Sequence, residues 1–326
     1  MLLKLLGAKV AGYSLKTSQQ PNFFDLVNFK SLIDESIIGD ICDYQKLKKK
    51  IKKFSPDIVV HMAAQSLVRY SYKHPKYTYD VNTTGTVNIL NILNELSFIK
   101  TCLIITTDKV YLNENKKSFF KECDRLGGQD PYSSSKASAE LVVNSYIHSF
   151  LKKKKIFVAT ARAGNVIGGG DFSKDRIIPD YIRSLKKKKI YLRSPNSIRP
   201  WQHVLDPLYG YLLLLMQLYQ KKEYKDNSWN FGPKKFNNKS VFNVINELNS
   251  HFNHSVKIVK KTILSKKYYE SSVLMLNSNK AKKTLGWNPR YNLKESLTLV
   301  ADWYKCFLQQ KDLLDISRKQ INNYFN

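Results

Sequence analysis

"PDIVVHMAA" at residues 56–64 and "TCLIITTD" at residues 101–108 are runs of one kind: a few apolar, β-branched residues that end in polar ones. A strand with one face in water alternates apolar and polar positions. These runs do not, so both faces are covered, which is the pattern of a parallel sheet. Reading outward, "AKVAGYSL" (8–15) and "KIFVATARAGNVIG" (155–168) form further strands. Helical spacing fills Tyr44 to Lys53, Pro75 to Leu96 and Pro131 to Phe150 between them. That alternation predicts an α/β fold with a doubly wound, Rossmann-type parallel sheet.

The second half changes character. Three amphipathic stretches, "DRIIPDYIRSLKKKK", "VLDPLYGYLLLLMQLYQ" and "NLKESLTLVADWYKCF", flank short strands at Ile190–Leu192 and Trp229–Phe231. This predicts a sheet domain over 1–165 and a smaller, mainly helical lobe over 166–326. Segments near 200–232 return to the sheet. There is no internal repeat and no flexible linker.

A chain of 326 residues that is 43% apolar, with 16 Phe, 20 Tyr and 4 Trp, excludes disorder. Cys42, Cys102, Cys123 and Cys306 are scattered without metal spacing, which favours a reduced, cytoplasmic protein. His251 and His254 lack a second ligand pair, so no metal site is expected. Met1 to Gly7 is too short and too interrupted by Lys4 for a signal peptide, and "LYGYLLLLMQLY" is too short to span a bilayer. The charge of +28 suggests nucleic acid, but 45 Lys against 9 Arg are dispersed without interleaved aromatics. Neither specific nucleic-acid binding nor membrane binding is expected.

The pattern Tyr-x-x-x-Lys occurs three times, at Tyr44/Lys48, Tyr72/Lys76 and Tyr132/Lys136. Chance gives about three matches in such a composition, so the pattern alone decides nothing. Context separates them. Only Tyr132, in "DPYSSSKASAELV", opens a long helix and follows a strand ending in polar groups, "LIITTDKVY". A lysine one turn from a phenol is expected to lower its pKa and ready it to take a proton from a hydroxyl group.

Taken with "HMAAQSLVRYSY", "RAGNVIGGGD", "RPWQHV" and "LGWNPR", these motifs resemble the extended short-chain dehydrogenase/reductase family, and within it the CDP-glucose 4,6-dehydratase branch. The likeness covers nearly the whole chain. It implies an NAD-dependent dehydration of CDP-glucose in which Tyr132, Lys136 and Thr107 handle the C4 hydroxyl. Asp108 and Lys109 would be the acid/base pair for loss of water across C5–C6. It implies cofactor contacts at Asp40, Ile41, His61, Ala63, Ala64 and Gln65, besides Tyr132 and Lys136. Substrate contacts fall at Arg69, Asn165, Arg176, Arg199 and Asn230. Asn82 would support the catalytic helix, Gly168–Gly170 would give a flexible loop in the substrate cleft, and a homodimer is implied.

In that family a first strand, a G-x-x-G-x-x-G turn and most of a helix precede a stretch like "GAKVAGYSL". Residues 1–326 contain no such turn. The resemblance therefore implies about 20–30 residues lacking, the size of one strand–turn–helix unit, unpaired edges on the strands near Lys9–Tyr13 and Ile58–His61, and weak NAD retention by this chain. An epimerase or other nucleotide-sugar dehydratase, and a catalytically silent sugar-nucleotide binder, stay open as alternatives.

Overall fold

The computed structural model describes residues 1–17, 19–114, 119–233, 239–260 and 273–326. Its strands are β1 (Ala11–Ser14), β2 (Glu35–Ile38), β3 (Ile58–His61), β4 (Thr101–Ile105), β5 (Phe157–Ala163), β6 (Val166–Ile167), β7 (Lys189–Leu192), β8 (Gln202–His203), β9 (Ser228–Phe231) and β10 (Lys257–Lys260). Helices in the first half are α1 (Leu2–Leu5), α2 (Phe23–Leu26), α3 (Tyr44–Phe54), α4 (Val68–Lys73), α5 (Pro75–Tyr79), α6 (Gly85–Glu95) and α7 (Pro131–Tyr146). Those in the second half are α8 (Ile177–Lys187), α9 (Leu205–Tyr219), α10 (Val241–Ser250), α11 (Asn279–Leu285), α12 (Leu293–Leu308) and α13 (Leu313–Phe325).

The central sheet runs β3-β4-β5-β9, every pair parallel, with Ile58 opposite Thr101, Thr101 opposite Phe157 and Thr160 opposite Ser228. Side chains alternate across it. Cys102, Ile104 and Val158 pack on one face against Ile89, Leu93 and Val143 of α6 and α7. Leu103, Ala159 and Ala161 pack on the other against Tyr211, Leu214 and Leu218 of α9 and Trp287. Burial on both faces explains the unbroken apolar runs of β4 and β5, whereas β3, with Ile58 40% exposed, is covered less completely than its sequence predicts. Each fully buried Leu or Ile contributes about 1.5–3 kcal/mol of transfer free energy. β9 is the sheet's edge strand and α9 packs on its second face.

β1 pairs only with β2, parallel, in a ladder of its own. Among the described residues, β1 and β3 each have a single ladder partner. A third core joins α8, α10, α12, β7 and β10, with Tyr181, Trp303 and Tyr304 buried at its centre.

Two local readings need correction. "KIFVATARAGNVIG" is not one strand, because Gly164 breaks it into β5 and β6. A Cβ there would lie 2.5 Å from Pro200 Cγ, so the chain turns where it must pass Pro200 closely. The helices over 75–96 and 131–150 also contain wide, π-type turns at Asp80–Thr84 and Ile147–Leu151.

Candidate functional site

The site forms where the carboxyl end of β4 meets the amino end of α7. Asp130 caps α7 by accepting from Ser133 N at 2.9 Å, and Pro131 takes the first helical position, where no N–H is needed. Tyr132 and Lys136 follow one turn apart, both buried. After β4, Thr106 N still donates to Ala161 O, and the chain then tightens into a short 3-10 turn over Asp108–Val110. Thr107 and Asp108 are thereby aimed at Tyr132.

The polar groups stand together. Thr107 Oγ1 donates to Asp108 Oδ1 at 3.0 Å, and Thr107 and Asp108 both stand near enough to act on the Tyr132 phenol. Lys136 Nζ donates to Ile105 O at 3.0 Å. Asp108 Oδ2 is buried without a hydrogen-bond partner. Burial pushes the Asp108 carboxyl up to about 6, against the pull of Lys109, Thr107 and Arg199. Burial also brings the Lys136 ammonium down to about 8, opposed by the Glu140 carboxylate.

The Tyr132 phenol is raised, not lowered. Removing it from water penalises the phenolate more than Thr107 and the Arg176 guanidinium favour it. Lys136, whose ammonium is hydrogen-bonded to Ile105 O, does not reverse this.

A brace holds α7 in place. Asn82 Oδ1 accepts from Gln65 N at 2.8 Å, while its amide donates to Gln65 O and to Ser135 Oγ. Ser71 of α4 receives Tyr132 N at 3.2 Å. Asn82 thus ties the segment after β3 to α7 through its side chain.

The structure does not bring every expected contact to this site. His61 Nε2 sits 3.1 Å from Thr86 Oγ1 and faces α6; burial, then the Lys136 charge, press its pKa down to about 3, so the ring is neutral. The Gln65 amide donates to Thr78 Oγ1 and accepts from Leu67 N. Both side chains are engaged internally, which leaves Ala63, Ala64 and the backbone to border a cofactor. Ile41 lies in the core against Gly85, and Asp40 Oδ1 accepts from Cys42 N.

Asn230 is also internal: it accepts from Tyr111 Oη at 2.7 Å and donates to Phe120 O and Asn277 O. It is not free to hold a substrate. Arg176 and Arg199 stand near enough to act on Tyr132 and Asp108 respectively. Arg176 also donates to Ser66 O at 3.2 Å. Arg69 pairs with Asp175, which also binds Arg193 at 2.5 Å, a residue no motif indicated. Asn165 is half-buried and accepts from Gln202 N through its carbonyl.

Gly168–Gly170 is not a loose loop. A Cβ on Gly169 would fall 2.1 Å from the Trp303 ring, and Gly170, at φ +83°, lies against Phe23. The glycines permit close packing. Among the described residues no group of His, Cys, Asp or Glu could hold a metal, and no helix is long and apolar enough to cross a membrane.

A buried acid, a tyrosine and a lysine grouped at the end of a parallel strand define a site for proton transfer to and from a hydroxylated substrate. The family model for GDP-mannose 4,6 dehydratase matches residues 7–300, and the chain belongs to that family of NAD-dependent, extended short-chain dehydrogenases/reductases. One relative, the CDP-glucose 4,6-dehydratase of Salmonella typhimurium, is 39% identical over 98% of this chain and 90% of its own length. A UDP-glucose 4-epimerase of Lacticaseibacillus casei is 26% identical over 82% of each chain. The fold matches a Thermotoga maritima UDP-glucose 4-epimerase with UDP-glucose (TM-score 0.79, 19% identity, 94% of each chain). It also matches a Bacillus anthracis dTDP-glucose 4,6-dehydratase in complex with NAD (TM-score 0.76, 23% identity, 94% of this chain and 90% of that one).

The residues present fit the nicotinamide half of NAD. Lys136 offers a buried ammonium with one hydrogen bond, and Asp108 Oδ2 is an orphaned acceptor beside Tyr132. Ala63 and Ala64 are half-buried at the end of β3. Residues 1–326 hold no glycine-rich turn for the pyrophosphate.

Proposed function

We propose that this chain is an NAD-dependent lyase that converts CDP-glucose to CDP-4-keto-6-deoxyglucose. Bound NAD would supply a reversible hydride acceptor. Tyr132, in its phenolate form, which Arg176 favours against burial, takes the proton of the C4 hydroxyl, and Lys136 holds the cofactor ribose. A carboxyl raised to about 6 is an acid at the upper edge of its range, so Asp108 donates a proton to the departing C6 hydroxyl. Lys109, next in the chain, takes the C5 proton from its unprotonated form. Arg69, Arg176 and Arg199 suit the substrate pyrophosphate, since a guanidinium fork matches phosphate oxygens.

The observation that carries this reading is the burial together of Tyr132, Lys136 and the hydrogen-bonded Thr107–Asp108 pair, with Asp108 Oδ2 unpartnered. The Salmonella relative supports the choice of cytidine nucleotide. A cytoplasmic homodimer and division into units at 1–165 and 166–326 belong to the same proposal.

Incubation of the purified chain with NAD and, separately, CDP-, dTDP-, GDP- and UDP-glucose tests it by mass spectrometry. Loss of one water from CDP-glucose alone, abolished in Tyr132→Phe, is the expected result. Product from another nucleotide sugar only, or none from any, overturns it. The second reading, a sugar-nucleotide binder without turnover, would appear as CDP-glucose binding without exchangeable NAD.

A further inference from the structure

No motif points to Glu140, yet it lies on α7 one turn beyond Lys136 and two beyond Tyr132, on the same side of the helix. It is 4% exposed and accepts four hydrogen bonds: from Thr106 Oγ1 at 2.5 Å, Thr160 Oγ1 at 2.7 Å, and Arg162 Nε and Nη2 at 2.9 Å each. Arg162, on β5, is as deeply buried and donates onward to Tyr111 Oη at 2.8 Å and Glu122 O at 3.0 Å. Lys136 grips Ile105 O, and Glu140 holds the next residue, Thr106. The helix therefore clasps two successive residues of the β4 tail, immediately before Thr107, Asp108 and Lys109.

We propose that Glu140 is a positioning residue, which fixes α7 to the tails of β4 and β5 and places a negative charge one turn from Lys136. The inference rests on the reading that Tyr132 and Lys136 face the reacting sugar. The charge balance supports it. The ammonium is buried with Tyr132 and Glu140 on its own helix, near enough to His61 of β3 for its charge to act on that ring, with Asp108 beyond Tyr132 and Arg162 behind Glu140. Of these, His61 is held neutral, and Glu140 is the one group on Lys136 that opposes burial. Burial would raise Glu140 itself, but Arg162, Thr106 and Thr160 outweigh it and keep the carboxylate charged. A bidentate guanidinium–carboxylate pair of this kind has fixed geometry as well as charge.

The test is a pH titration of the intact chain carrying 13C-labelled lysine, followed by NMR, with Lys136→Met to assign the resonance. Exposed lysines titrate near 10.4, so a lysine near 8 stands apart. In Glu140→Gln its midpoint is expected to fall by about one unit, and to recover in Glu140→Asp. An unchanged midpoint in folded Glu140→Gln overturns the proposal.

If the unpaired guanidinium prevents folding, Glu140→Gln/Arg162→Met removes both charges. Its midpoint should still lie below wild type, because Arg162 stands beyond the carboxylate; a midpoint at or above wild type overturns the proposal. The titration needs neither sugar nor cofactor. A lysine that moves as stated in a chain making no keto product would sink the enzymatic reading and leave this one standing.

Discussion

At the scale of single residues, Asp108 sets its reactivity against stability. Its carboxyl ionises near 6 in the folded chain and near 3.8 when unfolded. Between those values the folded state holds a proton that the unfolded state releases, so stability declines as pH rises through that window. Above it, the buried anion costs on the order of 2–3 kcal/mol. Asp108→Asn should therefore raise the thermal midpoint at pH 7.5 by several degrees, raise it only about a third as much at pH 4.5, and abolish dehydration. Scanning fluorimetry at the two pH values decides; an equal gain at both would mean that charge is not the cause.

The grouping of Thr107, Asp108 and Lys109, and of Tyr132 and Lys136, was legible in the sequence because each set is adjacent in the chain or one helical turn apart. The sequence did not reveal the fate of His61, Gln65 or Asn230. Their side-chain directions are fixed by Thr86, Thr78 and Tyr111, partners that only the fold brings near. Glu140 lay in plain view at a spacing of four, but an acid in a helix carries no signal until Arg162 is seen against it.

At the scale of elements, the apolar runs located the strands, since burial on both faces leaves a mark in composition that no partner is needed to read. Breaks in those elements were less visible. Gly164 ends a strand only because Pro200 crosses there, and "GGG" suggested looseness where the structure has contact with Val204, Trp303 and Phe23. Gly169→Ala is accordingly expected to destabilise the chain by about 1–3 kcal/mol, as overpacking does. Urea denaturation would measure it, and an unaltered midpoint would restore the flexible-loop reading. Trp303, 1% exposed and hydrogen-bonded to Ser317 at 3.0 Å, has little room to yield.

At the scale of the whole molecule, two histidines control the response to acid. Burial holds His61 near 3 and His203 near 4, against 6.5 in the unfolded chain. Their contribution is complete above pH 6.5 and is lost as pH falls, because only the unfolded state takes up the protons. At pH 5 each costs about 2 kcal/mol, and Asp108, gaining a proton on the same descent, returns about 1. Urea midpoints should therefore drop between pH 7 and pH 5, before most carboxylates titrate. A flat profile would show that the imidazoles are not sealed from water.

Among the described residues, β1 and β3 each have one side outside any ladder, and this has a colloidal consequence. A row of unused backbone amides and carbonyls is a template on which another copy can add a strand. The +28 charge keeps copies apart in dilute buffer. At physiological ionic strength that repulsion reaches only about 8 Å, so salt withdraws the guard from those two borders and favours precipitation.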